Sequence, residues 1–231
     1  FNIMDRWMQR TEHRTTQVIL RYVTDRRDGG QPDAAPFGES SGGRRYGVDI
    51  DNEMTDVIVK NGWILKDPGK SIGILTGFRD NTISSVFGDR NYQGAQRSAY
   101  ANVVYQQLLK DKDQIKAGAS FQFDDYDELF RQTPTDRLDL GRTERMPGLF
   151  SEYTRIRSRF TLVAGLRADF NSYYGNAVSP RLHLKYDIAP LTTIRFSAGS
   201  AFRSANVVPE TSAALASARN LEIDGTRGFE R

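Results

Sequence analysis

The chain contains no cysteine. That excludes a disulfide framework and any metal or redox site built on thiolates. It has only two histidines, His13 and His183, far apart in sequence, which argues against a two-histidine metal site. The one Gly-x-Ser-x-Gly match, Gly38-Glu39-Ser40-Ser41-Gly42, falls in a stretch that reads as a long loop rather than a strand-to-helix turn, so a Ser-His-Asp hydrolase is not read here. Gly29-Gly30 and Gly42-Gly43 lack the spacing of a phosphate-cradling loop and read as flexible loop glycines. No catalytic residue, metal site or cofactor is expected. The net charge of +3, from 32 basic and 29 acidic residues, is too small to indicate a nucleic-acid partner. No apolar run is long enough for a membrane helix. The chain starts at Phe1 and ends at Arg231, and the expectation is a fragment of a longer protein, so the lack of a signal peptide carries no weight. Mean hydropathy is −0.57, a value usual for soluble proteins. A membrane barrel shares it, since only half of each strand meets lipid.

What the sequence does have is alternation. From Arg159 to Arg203, three runs of period two lie end to end. Phe160, Leu162, Ala164, Leu166, Ala168 and Phe170 fall on one face, against Thr161, Val163, Gly165, Arg167 and Asp169. Leu182, Leu184 and Tyr186 oppose Arg181, His183 and Lys185. Ile194, Phe196 and Ala198 oppose Thr193, Arg195, Ser197 and Gly199. A soluble sheet buries its apolar face in a core. Here neighbouring strands repeat charge on the other face, which suits a barrel with apolar residues toward lipid and charge toward a lumen.

Upstream, the same pattern predicts strands at Phe1–Met8, Gln17–Val23, Tyr46–Met54, Ser71–Ser84, Ala99–Leu109, Ile115–Phe123 and Pro147–Ile156. Val57 and Val59 fall out of step with Tyr46, Val48 and Ile50, which predicts a bulge or a poorly specified strand end. Asp67-Pro68-Gly69-Lys70 reads as a turn, because proline sets φ and glycine supplies positive φ. Arg26–Arg44, Phe87–Ser98 and Asp124–Gly141 read as long loops, and the chain after Ala201 has no clean period. Ser212–Ala218 holds helix formers in too short a run. Long and short connections alternate, so the expected fold is all-β: an antiparallel up-and-down transmembrane β-barrel. About ten strands are present. The long loops should share one end, and the turns at Gln9, Lys110, Arg155 and Asp187 the other.

Particular stretches resemble the barrel of TonB-dependent outer-membrane receptors of the Bacteroidetes type. They are Val178-Ser179-Pro180-Arg181, Leu182-His183-Leu184-Lys185-Tyr186, Thr192-Thr193-Ile194-Arg195 and Gly199-Ser200-Ala201-Phe202-Arg203-Ser204-Ala205-Asn206. Phe150–Thr154, Val163–Asp169, Tyr100–Gln106 and Ala117–Phe121 look like earlier strand pairs of the same barrel. The resemblance implies that residues 1–231 are one partial barrel domain of about 22 strands in the whole. It implies that the plug and the final strands lie outside these residues. The fragment is then an open curved sheet, with Phe1–Met8 at one end, the Ala198 strand at the other, and Leu221–Ile223 starting a return toward the membrane.

It also implies the cell outer membrane of a Gram-negative bacterium, and import of a scarce nutrient (an iron chelate, cobalamin or an oligosaccharide) with energy from TonB. Implied partners are the plug domain of the same chain, TonB, outer-membrane lipid and a small-molecule or oligosaccharide ligand, with no nucleic acid. A passive porin-like barrel and a soluble β-sheet binding module remain the alternatives. The candidate ligand-binding or plug-contacting residues are Arg167, Asp169, Tyr173, Tyr174, Arg181, His183, Lys185, Arg195 and Arg203. Lumen charges, Arg21 and Lys116 included, are expected to pair with one another. Tyr173 and Tyr174 fit a ligand at the outer mouth or an interfacial girdle. Asp49, Asp51 and Glu53 suit a divalent cation, or arginines on a neighbouring strand or the plug, since like charges on one face repel. Asp124, Asp125, Asp127 and Glu128 read as a solvated acidic loop.

Overall fold

The structure is a computed structural model describing residues 1–30, 46–109, 113–133, 135–204 and 215. Its elements are β1 (Asn2–Arg10), β2 (Arg14–Gly30), β3 (Gly47–Ile64), β4 (Lys70–Phe87), β5 (Arg90–Leu108), β6 (Gln114–Arg131), the short β7 (Leu138–Asp139), β8 (Arg142–Ile156), β9 (Phe160–Asn171), β10 (Gly175–Ala189) and β11 (Thr192–Gly199). They make one antiparallel meander, each long strand pairing with the next, with β7 appended to β6. β1 and β11 are the two edges and do not pair with each other. The ten long strands and the open sheet are as expected from the sequence.

Register assigns each side chain to a face. Leu166 stands opposite Pro180 and Ser151, Leu162 opposite Leu184, and Leu182 opposite Ala198. Phe160, Leu162, Leu166, Leu184, Ile194 and Phe196 therefore share one face, and that face stays open: Leu166 is 53% exposed, Phe196 53% and Ile194 57%. Leu149, Phe121, Val103 and Phe78 extend it across β8, β6, β5 and β4. A continuous exposed apolar surface of this size is a lipid-facing one. Near the turn end it carries Trp63, Tyr105, Tyr153 and Tyr186, an aromatic girdle at the membrane interface.

The strands of one half are far longer than a crossing needs. β2 has 17 residues, β3, β4 and β6 have 18, and β5 has 19. A crossing takes about 9–11 residues. The surplus stands beyond the apolar band, and there the faces exchange character. On the lipid side the band ends at a cross-strand row of Asp80, Arg97 and Asp125, with Arg97 Nε 3.3 Å from Asp80 Oδ2. Past that row the same face carries Asp49, Asp51 and Glu53, while Val48, Ile50, Phe87, Tyr92 and Phe130 turn inward. Phe87, Tyr92, Phe130 and Leu215 form the buried apolar cluster, flanked by Tyr46, Ile83, Leu138 and Leu140.

This inversion corrects several expectations. No bulge lies at Val57 and Val59, because β3 pairs without a shift from Val48 to Ile64 on β4. Their parity differs from that of Val48 and Ile50 because the lower part of β3 faces lipid and the upper part faces water. Phe87–Ser98 is not a loop: β4 and β5 meet at a tight Gly88-Asp89 turn. Gly88 has φ +61°, a left-handed conformation that suits glycine. Its N–H donates to Gly47 O at 2.7 Å. Asp124–Gly141 is mostly strand, and Asp124 and Glu128 are buried rather than solvated. β2 likewise runs to Gly30. The rest of the Arg26–Arg44 stretch, Lys110–Lys112 and Leu221–Ile223 lie outside the described residues, as does Ser212–Ala218 apart from Leu215.

The topological alternation holds even so. Turns after β1, β3, β5, β8 and β10 share one end, and those after β2, β4, β6 and β9 share the other. The Asp67–Lys70 turn forms, but Gly69 does not take the positive φ expected of it. Lys70 N–H donates to Asp67 O at 2.9 Å; the Gly69 N–H on Asp67 Oδ1 at 3.0 Å, and then the Lys70 ammonium 3.3 Å from Oδ2, hold the Asp67 carboxyl below its usual pKa.

Candidate functional site: the inner wall

The face opposite the lipid is a wall of paired side chains. One row runs straight across it, Arg21–Asp56–Arg79–Ser98–Asp124–Glu144. Asp56 is buried and takes Arg79 Nε at 2.5 Å and Nη2 at 3.2 Å. Asp124 accepts from Ser98 Oγ at 2.5 Å, Gln122 Nε2 at 2.6 Å and Gln96 Nε2 at 3.2 Å.

Toward the outer end, Arg142 stands between two buried carboxylates. Its Nη1 donates to Glu128 Oε2 at 2.7 Å and its Nε to Glu144 Oε1 at 2.9 Å. The guanidinium lies 3.9 Å from the Tyr126 ring centroid, a cation–π contact. Glu144 also accepts from Asn171 Nδ2 at 3.0 Å and Ser204 Oγ at 2.7 Å, and Glu128 from the Tyr92 hydroxyl. Buried charge is tolerated only when paired and hydrogen-bonded in this way. The residues after β11 thus turn onto the inner wall: Ser204 reaches Glu144, and the Arg90 guanidinium donates to Leu215 O at 2.9 Å. Arg142 and Glu144 on alternate residues of β8 are the sequence signal for this cluster, and the expected site residues did not include it.

Lower on the wall, Arg167 forms a two-point pair with Asp169 (Nε–Oδ2 2.7 Å, Nη2–Oδ1 2.6 Å) and donates to Ser120 Oγ at 2.9 Å. Glu152 lies between Lys116 Nζ, at 3.3 Å, and Arg181 Nη2. His183 Nδ1 is 2.9 Å from Ser197 Oγ, Lys185 pairs with Asp187 at 2.9 Å, and Arg195 stands opposite Lys185 on β11. Arg167, Asp169 and Arg181 line one cavity of about 380 Å³ with Asn102, Phe150 and Phe202.

Glycines keep this wall low. A Cβ on Gly118 would strike Val103 O and come within 2.5 Å of Phe150 Cζ.

The remaining expected residues do not join that cavity. Tyr173 and Tyr174 sit on the β9–β10 turn at the outer end, their N–H groups donating to Asn171 Oδ1 at 2.7 and 2.9 Å. Their rings meet edge-on at 5.0 Å, and Tyr174 meets Phe202 at 6.4 Å. Burial pushes the Tyr174 phenol up. Arg203 is exposed beside Phe202. Asp49, Asp51 and Glu53 lie on the outside of the sheet, away from any lumen. Asp49 pairs with Arg26 at 3.2 Å and Glu53 accepts from the Tyr22 hydroxyl at 2.9 Å. Among the described residues no group of three or more acidic or histidine side chains is placed to hold a metal ion.

An open apolar outer band, an aromatic girdle and a charged, internally paired inner wall define a segment of a transmembrane β-barrel. Residues 6–226 match the family described as TonB dependent receptor-like, beta-barrel, and the chain belongs to that family. It is a segment of an outer-membrane barrel of the Gram-negative type. No curated protein matches it.

Among solved structures, it is similar to a mutant of the ferric enterobactin receptor PfeA of Pseudomonas aeruginosa: 14% identity over 89% of this chain and 33% of that one, TM-score 0.65. It is also similar to FpvAI in its complex with pyocin S2 (12%, 85% and 34%, 0.61). A third is the alcaligin outer-membrane receptor FauA of Bordetella pertussis (13%, 85% and 34%, 0.58). The chain spans about a third of the length of these receptors, and at such identities the likeness is one of fold.

Proposed function

We propose that this chain is part of the wall of an active importer, carrying a scarce nutrient across the outer membrane with energy supplied through TonB. In this reading a plug domain of the same protein fills the barrel, and no catalysis is involved. The nutrient is an iron chelate, cobalamin or an oligosaccharide.

The observation that carries the reading is the make-up of the inner wall. On β2–β5, on the turn side of the Arg21–Asp56–Arg79 row, it presents Ile19, Ile58, Leu75 and Val104, separated by Gly62, Gly73 and Gly77, with Gln17, Lys60 and Asn102 set among them. On β6–β11 it presents charge. A water-filled passive pore has no use for a mixed, glycine-flattened patch on its lumen. A folded domain seated inside does, because such contacts mix apolar and polar surface. The similar receptors named for ferric enterobactin and alcaligin are consistent with an iron-chelate cargo.

The test is genetic. Deleting the full-length gene should abolish growth on one scarce nutrient, the intact gene should restore it, and restoration should require TonB. Restoration independent of TonB would favour the passive pore.

A further inference from the structure

The cavity of about 380 Å³ beside Arg167 and Arg181 is a constructed feature of the wall rather than a gap between strands. Arg181 stands between two glycines of the neighbouring strands, Gly165 on β9 and Gly199 on β11. A Cβ on Gly165 would lie 2.8 Å from Arg181 Nε and 3.0 Å from its Cγ. The missing side chain lets Arg181 lie flat across β9 and reach Glu152 on β8. The other oxygen of Glu152 is taken by Lys116. Arg167 is fixed by its two bonds to Asp169 and a third to Ser120. Three cations thus share two carboxylates, and both guanidinium groups are held in place before anything binds.

The excess of positive charge continues toward the turn end. On that half of the inner wall, from the Lys60–Asn102–Ser120 row downward, Lys60, Lys116, Arg167, Arg181, Lys185 and Arg195 on β3–β11 face only Glu152, Asp169 and Asp187. Arg181 is 55% exposed in its side chain on this wall, so its other N–H groups face the lumen. Arginine's planar fork matches carboxylate geometry, and a pre-positioned one loses little freedom on binding. Phe150 and Phe202 supply apolar walls for the carbon skeleton.

We propose that this cavity is an anion-binding waypoint on the inner wall, taking a carboxylate-bearing solute below the outer mouth. It rests on the transport reading and narrows it to anionic cargo over neutral oligosaccharide.

The experiment uses the full-length protein purified in detergent, with citrate as the probe and maltotriose as the neutral control, read by isothermal titration. Wild type should bind citrate and not maltotriose, and binding should weaken with added salt. Arg181→Gln should weaken citrate binding about ten-fold or more. It keeps the Lys116–Glu152 pair, and heat-modifiable gel mobility reports whether the barrel has folded. Lys116→Gln removes the surplus charge without lining the cavity and should weaken citrate several-fold. No citrate binding by wild type, or equal binding by wild type and both variants, overturns the waypoint. If the intact gene restores growth in the genetic test while citrate fails to bind, the waypoint alone falls. If the intact gene restores nothing, the transport reading falls and the waypoint with it.

Discussion

Replacing Arg142 by leucine should be among the most damaging single changes on the inner wall. The Arg142 side chain is 10% exposed, and those of Glu128 and Glu144 are 3% and 2%. Leucine would leave both carboxylates out of water with no cation. Breaking one buried pair costs about 3–5 kcal/mol, because the surviving charge is uncompensated. Two pairs break here, yet the cost should not double. Glu128 keeps the Tyr92 hydroxyl, and Glu144 keeps Asn171 and Ser204. The expected loss is therefore about 3–5 kcal/mol in all. The control is Arg97→Leu in the outward pair with Asp80, where the side chains are 69% and 43% exposed and the cost should be about 0.2–1 kcal/mol. Urea titration of the full-length protein refolded into lipid vesicles measures both. Adding Glu128→Gln and Glu144→Gln to Arg142→Leu should recover much of the loss. If Arg142→Leu costs no more than Arg97→Leu, the cluster is not the buried charged unit described above.

Leu166→Arg, on the lipid face, should cost about 2–4 kcal/mol at the bilayer midplane, while the same change at the fully exposed turn residue Leu191 should cost close to nothing; equal costs in vesicle unfolding would contradict the placement of the band. Gly118→Ala should lose about 1–3 kcal/mol from overpacking, because the new methyl meets backbone as well as Phe150, and a stability unchanged from wild type would mean that this part of the wall has slack. Asp113 accepts from the Tyr153 hydroxyl at 2.6 Å and Arg157 Nη1 at 2.8 Å, which hold its carboxyl below the usual range. The stability it supplies is complete above the ordinary aspartate pKa of about 4 and is lost as pH falls below that, so Asp113→Asn should flatten the acid limb of a stability–pH curve. An epitope tag at Asp89 should be reachable on intact cells and one at Pro68 should not, and the reverse pattern would invert the topology.

The sequence showed the fold most clearly where each strand does little more than cross the bilayer. In β9, β10 and β11 one alternation covers almost the whole strand, and Arg167, Asp169, Arg181, His183, Lys185 and Arg195 all fell on the inner face as read. β3 to β6 misled because they change surroundings partway. A period-two pattern says which residues share a face, not what that face meets. In β3 the charged residues Asp49, Asp51 and Glu53 share a face with Val57 and Val59, and without knowing where lipid ends this looks like a shift in register. Asp124 to Glu128 looked like a loop for a similar reason. Acidic residues stand on both faces there, outward into water and inward onto Ser98, Gln122 and Arg142. The Arg142 cluster was harder still, since its partners come from β5, β6, β8, β9 and the residues after β11, and only the strand order brings them together.

The exchange of faces along β3 to β6 also fixes how deep the barrel can sit. A sheet with uniform faces could ride up or down in the bilayer at modest cost, as helices do by tilting when thickness changes. This one cannot move outward or inward freely. Sinking by one outward-facing residue would carry Asp80, Arg97 and Asp125 toward hydrocarbon, and rising would lift the Trp63–Tyr105–Tyr153–Tyr186 girdle into it from the other side. The row of charge and the row of aromatic rings act as two stops set one bilayer apart. The outer mouth, with Arg142 and its carboxylates, is thereby held at a constant height above the lipid surface whatever the barrel is doing inside.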